Sequence, residues 1–150
     1  MRYILILPLF LLSINCIAQQ RSQDIQMITN TIENYFDGYV ERNLSKLDKA
    51  FDLENGVMKL HRTNDDGIDY VENIPFKELI PRWASREKLS KTELENCVLN
   101  ILNIDIVKGE IASAKISMRV SGTTYIDILS LNKMNQNWKI TNKIFFVLKD

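Results

Sequence analysis

Asp127 is the residue of this 150-residue chain whose neighbours best suit it to chemistry. In the alternating stretch YIDILSL it shares one strand face with Tyr125, Leu129 and Leu131. A carboxylate among bulky apolar side chains can act as a general base or accept a hydrogen bond from a ligand, because burial and neighbouring groups set its pKa. It can also be structural, holding a loop or pairing with a lysine. The sequence leaves these roles open.

His61 is the only histidine and the second catalytic candidate. Alternation places it with Val57 and Lys59 and opposite Met58 and Leu60, so we predict a solvent-facing or edge position. A single histidine excludes the usual multi-histidine metal sites, and the sequence has no Cys/His cluster. We therefore expect neither a metal nor another cofactor.

The last strand-like stretch alternates apolar and polar side chains. Its apolar row is Trp138, Ile140, Ile144 and Phe146, and its polar row is Lys139, Thr141 and Lys143. Asn142 breaks the apolar row, so it must find partners in the core or line a polar spot in a cavity. We predict that Lys139 and Lys143, with Lys115 and Arg119 of an earlier strand, belong to a solvated sheet surface or a dimer face.

Aromatic side chains provide further candidates for a binding site. Tyr35, Tyr39, Trp83 and Tyr125 could line a cavity, although each could equally be part of the core. A buried tyrosine hydroxyl needs a hydrogen-bond partner, which makes Tyr125, beside Asp127, the strongest of these candidates.

The elements that must position these residues are helices followed by strands. Residues 24–42 have a helical period with Asp24 as a candidate cap, and a second short helix is expected with Ser45 at its start. A hairpin turning at Asp66-Gly67 and a short helical segment that Pro81 breaks or kinks come next. Four strands then cover residues 97–107, 110–121, 123–133 and 138–148. Short turns make these strands an antiparallel meander, so the order predicts an α+β fold with N-terminal helices packed on a strongly curved antiparallel sheet that encloses a cavity.

The N-terminal stretch MRYILILPLFLLSINCIAQQ has the pattern of a secretory signal. Arg2 precedes an apolar run that is too short to span a membrane comfortably, and small residues end at Ala18. We expect residues 1–18 to be a cleaved signal peptide, residues 19–23 a tail and residues 24–150 the domain, exported to a periplasm or secreted, with no membrane span in its mature form. Lipid anchoring at Cys16 fits less well, because Ser13 and Asn15 match a lipobox poorly.

Charge and cysteine content narrow the function further. Nineteen basic and nineteen acidic residues cancel, so no basic surface for nucleic acid is indicated. Cleavage after Ala18 leaves one cysteine, Cys97, which cannot form an internal disulfide. We expect a buried, inert thiol there.

The tail YIDILSLNKMNQNWKITNKIF and the N-terminal YFDGYVERNLSKLDKAF resemble the nuclear transport factor 2-like superfamily, an α+β cone fold. The match is to its exported bacterial branch called “putative lumazine-binding”, through Asp127, Leu129, Leu131 and Lys133 and then Trp138, Lys139 and Ile140. Asn137 departs from the glycine usual in the last turn, and we expect a looser turn there. The resemblance covers about residues 24–148.

This resemblance implies ligand binding in the cone, and because the sequence offers few paired catalytic groups we expect a small, mostly apolar ligand held without catalysis. The candidate ligand-binding residues are Tyr35, Tyr39, Trp83, Tyr125, Asp127 and Asn142. The alternative is an isomerase- or dehydratase-like enzyme with Asp127 as general base, helped by Tyr125 or His61, because enzymes of the superfamily place an Asp or an Asp/His pair inside the cone. Relatives often pair through the sheet face, so a homodimer is also expected.

Overall fold

A computed structural model describes the backbone of residues 7–148 and the surroundings of side chains from residue 19 to residue 148. Two helices, a hairpin and two short helices precede four long strands. The elements are α1 (Leu7–Glu41), α2 (Leu44–Ala50), β1 (Val57–Thr63), β2 (Asp69–Pro75), α3 (Phe76–Ala84), α4 (Lys91–Glu95), β3 (Val98–Val107), β4 (Ile111–Val120), β5 (Thr123–Met134) and β6 (Asn137–Leu148).

The strands form one six-stranded sheet in the order β2-β1-β6-β5-β4-β3. Strands β3 to β6 are the predicted antiparallel meander, and the predicted α+β class with helices on a sheet is confirmed. One pair, β1 with β6, is parallel, so the sheet is mixed. Parallel neighbours need a long connection in the sequence. The elements from β2 to β5, which lie between β1 and β6 in the sequence, provide it.

Helix α1 covers the sheet with the apolar stripe that its sequence predicts. Ile28, Ile32 and Tyr35 are buried on this stripe. Gly38 lets α1 approach α2 closely, since a Cβ there would lie 2.8 Å from the Cγ atom of Leu47. This contact fixes the end of α1 that carries Tyr35 and Tyr39.

Several element boundaries differ from the prediction. Helix α1 begins at Leu7, so Asp24 lies inside it rather than at its cap. The side chain of Asn43, not Ser45, caps α2 by accepting from the N–H of Lys46. Helix α3 continues through Pro81, because its four buried side chains offset the hydrogen bond that proline cannot donate.

The sequence patterns missed one short helix and predicted too short a turn in the β1–β2 hairpin. Helix α4 was not predicted, although Ser90 and Glu93 form a capping box at its start. The turn of the β1–β2 hairpin is a five-residue loop, residues 64–68, rather than a two-residue turn. Asn64 organises this loop by accepting from the N–H groups of Asp66 and Ile68.

Asp24 joins α1 to the sheet through a buried cluster. It is 1% exposed and accepts from the ammonium group of Lys133 at 2.7 Å and from the indole N–H of Trp138 at 3.2 Å. Burial alone would raise the pKa of Asp24, but the hydrogen bonds from Lys133, Trp138 and Gln20 and the charge of Lys133 outweigh it and lower the pKa. The cluster therefore requires an ionised carboxylate.

A β-bulge in β6 reverses the two faces of that strand. Ser130 pairs with Asn142 and Leu131 with Ile140, so Thr141 has no opposite residue. Trp138 and Ile140 point inward as predicted, but beyond the bulge Lys143 is buried and Ile144 and Phe146 are 40% and 67% exposed. The predicted solvent position of Lys143 and the inward positions of Ile144 and Phe146 are therefore wrong, because the extra residue shifts the alternation by one.

Candidate functional site

Three polar side chains meet inside the fold, where α1 crosses β5 and β6. Tyr35, Asp127 and Lys143 are 1%, 0% and 3% exposed. The Tyr35 hydroxyl donates to Oδ2 of Asp127 at 2.9 Å, and the Lys143 ammonium group forms an ion pair with the same oxygen. The arrangement depends on the bulge, because only the reversed phase of β6 turns Lys143 toward the carboxylate.

The environment opposes ionisation of two members of this trio. Burial, together with the negative charge of Asp127, raises the pKa of Tyr35 well above its usual value. Burial lowers the pKa of Lys143, and the charge and hydrogen bonding of Asp127 only partly oppose this. The Tyr35 hydroxyl is therefore a permanent donor at neutral pH.

Two buried side-chain oxygens lack a hydrogen-bond partner among the residues that the structure describes. They are Oδ1 of Asp127 and Oδ1 of Asn142. Burying a polar oxygen without a partner carries a free-energy cost, so each of these atoms is a potential acceptor for a buried water. Asn142 pairs with Ser130, on the face of the sheet opposite Asp127 and Lys143, and it is not among the residues that line the cavity above the trio.

A cavity of about 230 Å³ opens above the trio. Aromatic rings form much of its wall: Tyr35 stacks on Trp83 at 6.0 Å between centroids, Tyr39 meets Trp83 edge-on at 5.1 Å, and Tyr125 lies 6.1 Å from Phe145. Burial raises the pKa of Tyr125. The lining residues are Tyr35, Tyr39, Met58, Leu79, Trp83, Arg86, Met118, Tyr125, Lys143 and Phe145.

Arg86 provides a second cation on the cavity wall. Its Nη1 donates to the Tyr39 hydroxyl at 2.8 Å, and its guanidinium lies 5.7 Å from the centre of the Tyr39 ring. Within residues 19–148, no carboxylate forms an ion pair with Arg86, whereas Lys143 is neutralised by Asp127.

The structure brings together most of the candidates taken from the sequence. Tyr35, Tyr39, Trp83 and Tyr125 line the cavity, and Asp127 lies behind Tyr35 and Lys143. His61 is separate from them: its side chain is 71% exposed on the β1–β2 hairpin, where Nε2 lies 3.6 Å from a carboxylate oxygen of Asp69. His61 is therefore not positioned to assist Asp127.

Lys143 and Arg86 are the site residues that sequence reasoning missed. Strict alternation turned Lys143 outward, and the only sign against this was the polar Asn142 in an apolar row. Arg86 lies just beyond the C-terminal cap of α3, so helical spacing does not place its side chain. No sequence pattern identified Arg86.

The described residues show neither a metal site nor a membrane helix. No three His, Cys, Asp or Glu side chains between residues 19 and 148 lie close enough to hold a metal ion. No helix in the described part of the chain is long and apolar enough to cross a membrane. Cys97 is half-buried, not fully buried as expected, and its thiol donates to the carbonyl of Glu93 at 3.2 Å.

Comparison with known proteins gives one family match and several similar structures. A family described as “Putative lumazine-binding” matches residues 23–146. An NTF2-like protein of unknown function from Shewanella baltica OS155 is 22% identical, with 86% of this chain and 97% of that chain covered and a TM-score of 0.69. An NTF2-like protein of unknown function from Methylobacillus flagellatus KT is 23% identical, with 85% and 94% covered and a TM-score of 0.65.

A third structure is similar in fold at lower identity. A putative scytalone dehydratase from Novosphingobium aromaticivorans DSM 12444 is 10% identical, with 88% of this chain and 89% of that chain covered and a TM-score of 0.62. Comparison with curated proteins gives no match. At these identities the structures establish the cone fold alone.

Proposed function

Because the chain belongs to the family described as “Putative lumazine-binding”, within the NTF2-like superfamily, we propose that its cavity binds a small, mostly apolar ligand without turning it over. The observation that carries this proposal is the aromatic-walled cavity of about 230 Å³ above the buried trio of Tyr35, Asp127 and Lys143. Concave, mostly apolar sites with a few fixed polar groups are typical of small-molecule binding.

The alternative is an enzyme with Asp127 as general base, and the geometry of the carboxylate favours binding instead. A general base must come within hydrogen-bond reach of the proton that it abstracts. Oδ2 of Asp127 is engaged by Tyr35 and Lys143, and Asp127 reaches the cavity only through these two side chains. His61, the other catalytic candidate, is on the exposed hairpin.

Native mass spectrometry of the purified protein tests the binding proposal. We expect an extra mass that disappears on denaturation, and its fragmentation would give the ligand class.

Trp83 and Trp138, the two tryptophans of the chain, allow a second readout, because Trp83 lines the cavity and Trp138 lies in the Asp24 cluster. Ligand-dependent quenching should be lost in Trp83→Phe and kept in Trp138→Phe. Quenching that survives Trp83→Phe, or no retained mass and no quenching by added aromatic compounds, would argue against the cavity as a binding site.

We also propose that the chain is exported and that residues 1–18 are removed, with lipid anchoring at Cys16 as the alternative. The support is the sequence pattern and the position of the first buried contact: among residues 19–148, burial on α1 begins at Asp24. Mass spectrometry of the N-terminal peptide tests this proposal. A start at Gln19 would agree with it, a lipidated Cys16 would replace it with anchoring, and an intact Met1 would contradict export.

A homodimer through the outer face of the sheet is the final proposal. Because cross-strand partners share a face, Ile128 lies beside Ile144 and Ile126 beside Phe146 on this surface. Ile128, Ile144, Phe146 and Leu148 are 40% to 67% exposed, and we call them the outer apolar patch. A second copy of the chain would cover this patch, and sedimentation velocity measures the assembly.

A further inference from the structure

We propose that the cavity selects a small planar aromatic ligand that carries a carboxylate, and that Arg86 binds this carboxylate. The inference rests on the proposed binding function and specifies its ligand class. Three features carry it: the size of the cavity, the aromatic wall and the charge balance of the lining groups.

The size of the cavity limits the ligand. At about 230 Å³ it lies below the range of roughly 300–1,000 Å³ typical of drug-sized ligands. One or two fused rings suit a space of this size. The rings of Tyr35 and Trp83 from the helices and of Tyr125 and Phe145 from the sheet line the cavity and offer faces and edges to a flat aromatic body.

The charges on the cavity wall favour a ligand with an anionic group. Lys143 and Asp127 cancel, so their pair adds no net charge to the cavity. Arg86 remains as a lining cation without a carboxylate partner among the described residues. A guanidinium group offers a planar fork of N–H donors that matches a carboxylate with two parallel hydrogen bonds.

Arg86 is also held in position before a ligand arrives. Its hydrogen bond to the Tyr39 hydroxyl and its place near the Tyr39 ring reduce the freedom that binding would otherwise remove. Arg42 lies on the same tyrosine, with its guanidinium 5.1 Å from the ring centre, but its N–H groups donate to the carbonyls of Tyr39 and Glu87. Arg86 is therefore the cation available to the ligand, and Arg42 adds positive potential around it.

A matched pair of probes tests the inference: 2-naphthoate and the uncharged 2-naphthamide, each titrated into the purified protein by calorimetry. We expect the carboxylate to bind about 5- to 20-fold more tightly, the range for a charge-assisted contact that is partly open to solvent. Raising NaCl from about 50 mM to about 0.5 M should weaken only the naphthoate, because salt screens the ionic contact.

Variants assign the selectivity to one side chain. In Arg86→Gln the preference for naphthoate over naphthamide should disappear, because the substitution removes the charge that only naphthoate contacts. Lys88→Gln, which removes an exposed cation two residues away, should keep the preference. Equal affinity of the two probes for the wild type, or a preference that survives Arg86→Gln, would overturn the inference and leave the binding function intact. Failure of both probes to bind would overturn this ligand class. The binding function itself would be overturned by the absence of any retained mass and of any quenching, or by quenching that survives Trp83→Phe.

Discussion

Lys143 and Asp127 form an ion pair on neighbouring strands that is almost completely removed from solvent, with side chains 4% and 0% exposed. Leu129 pairs with Lys143 and Asp127 with Phe145, so the two charges are diagonal neighbours on one face of the sheet. The Lys143 ammonium group also lies 4.8 Å from the ring centre of Phe145 and 5.5 Å from that of Tyr35. The pair therefore connects the sheet, α1 and the cavity wall.

Replacing one partner of this ion pair should destabilise the protein more than replacing both partners together. Lys143→Met or Asp127→Asn leaves one buried polar group without its partner, and we expect each variant to lose about 3–5 kcal/mol of unfolding free energy. The double variant Asp127→Asn/Lys143→Met should lose much less than the sum of the two. Denaturant unfolding of all four proteins gives the coupling energy.

An exposed ion pair provides the control for this cycle. Nε of Arg62 lies 2.9 Å from Oε2 of Glu72 on the β1–β2 hairpin, and the two side chains are 51% and 41% exposed. Glu72→Gln should cost less than about 1 kcal/mol, because solvent screens the pair. Additive effects of the two buried substitutions would contradict a coupled pair.

Tyr35→Phe tests the hydrogen bond from α1 to Asp127. The substitution keeps the ring and its packing but removes the hydroxyl that donates at 2.9 Å to the buried carboxylate. We expect a loss of about 1–3 kcal/mol in unfolding free energy, because Asp127 loses a donor that water cannot easily replace. Tyr70→Phe, at a site that is 50% exposed, should be nearly neutral. Equal effects of the two variants would mean that the Tyr35 hydroxyl contributes nothing to stability.

Acid should weaken the fold through Asp24. Because its folded pKa is lowered, the unfolded chain binds a proton there more readily, so stability rises with pH. The contribution is complete above the ordinary aspartate pKa of about 3.9 and is lost as pH falls through the lower folded value. We expect wild type to exceed Asp24→Asn by about 1–3 kcal/mol near neutral pH. Unfolding curves between about pH 6 and about pH 3 should show this difference shrinking.

The control for Asp24 is an exposed carboxylate. Asp65 lies in the exposed β1–β2 loop, and Asp65→Asn should follow the wild-type pH profile. A difference between wild type and Asp24→Asn that stays constant down to about pH 3 would contradict the lowered pKa, since linkage requires the difference to vanish as the carboxylate is protonated.

Gly38→Ala tests the close approach of α1 and α2. Alanine is the better helix former by about 1 kcal/mol, so propensity alone predicts a gain. The new Cβ would lie 2.8 Å from Cγ and 2.9 Å from the backbone nitrogen of Leu47, and α2 would have to move. We expect a net loss of about 1–3 kcal/mol. The exposed position Ser22 on α1 is the control, where Ser22→Ala should gain a few tenths of a kcal/mol, and a net gain at Gly38 would show that α2 yields freely.

Hydrophobic periodicity predicted the fold well because buried positions recur at a regular spacing along each helix and strand. The alternation of β4 is observed residue by residue, and Asp127 lies on the buried face of β5 with Leu129 and Leu131. The site was harder to predict, because the one-residue bulge at Thr141 reverses β6 and cannot be derived from propensities. Asn142 was the visible sign of that reversal, and only the cross-strand register reveals that Lys143, not Ile144, faces Asp127.

The bulge has a second consequence, because it exposes Ile144 and Phe146 on the outer apolar patch. Phe146, 67% exposed, is the most exposed member of this patch. If two copies pair there, Phe146→Glu should raise the dimer dissociation constant at least about tenfold, because a charge would replace an aromatic contact in the interface. Stability of the protomer should change by no more than about 0.5 kcal/mol, since the site is on the surface.

Ile68→Glu, at a site that is 61% exposed in the β1–β2 loop, is the matched control and should leave assembly unchanged. Sedimentation velocity over a range of concentrations measures both variants, and a wild-type protein that stays monomeric at the highest concentration would rule out pairing through this face.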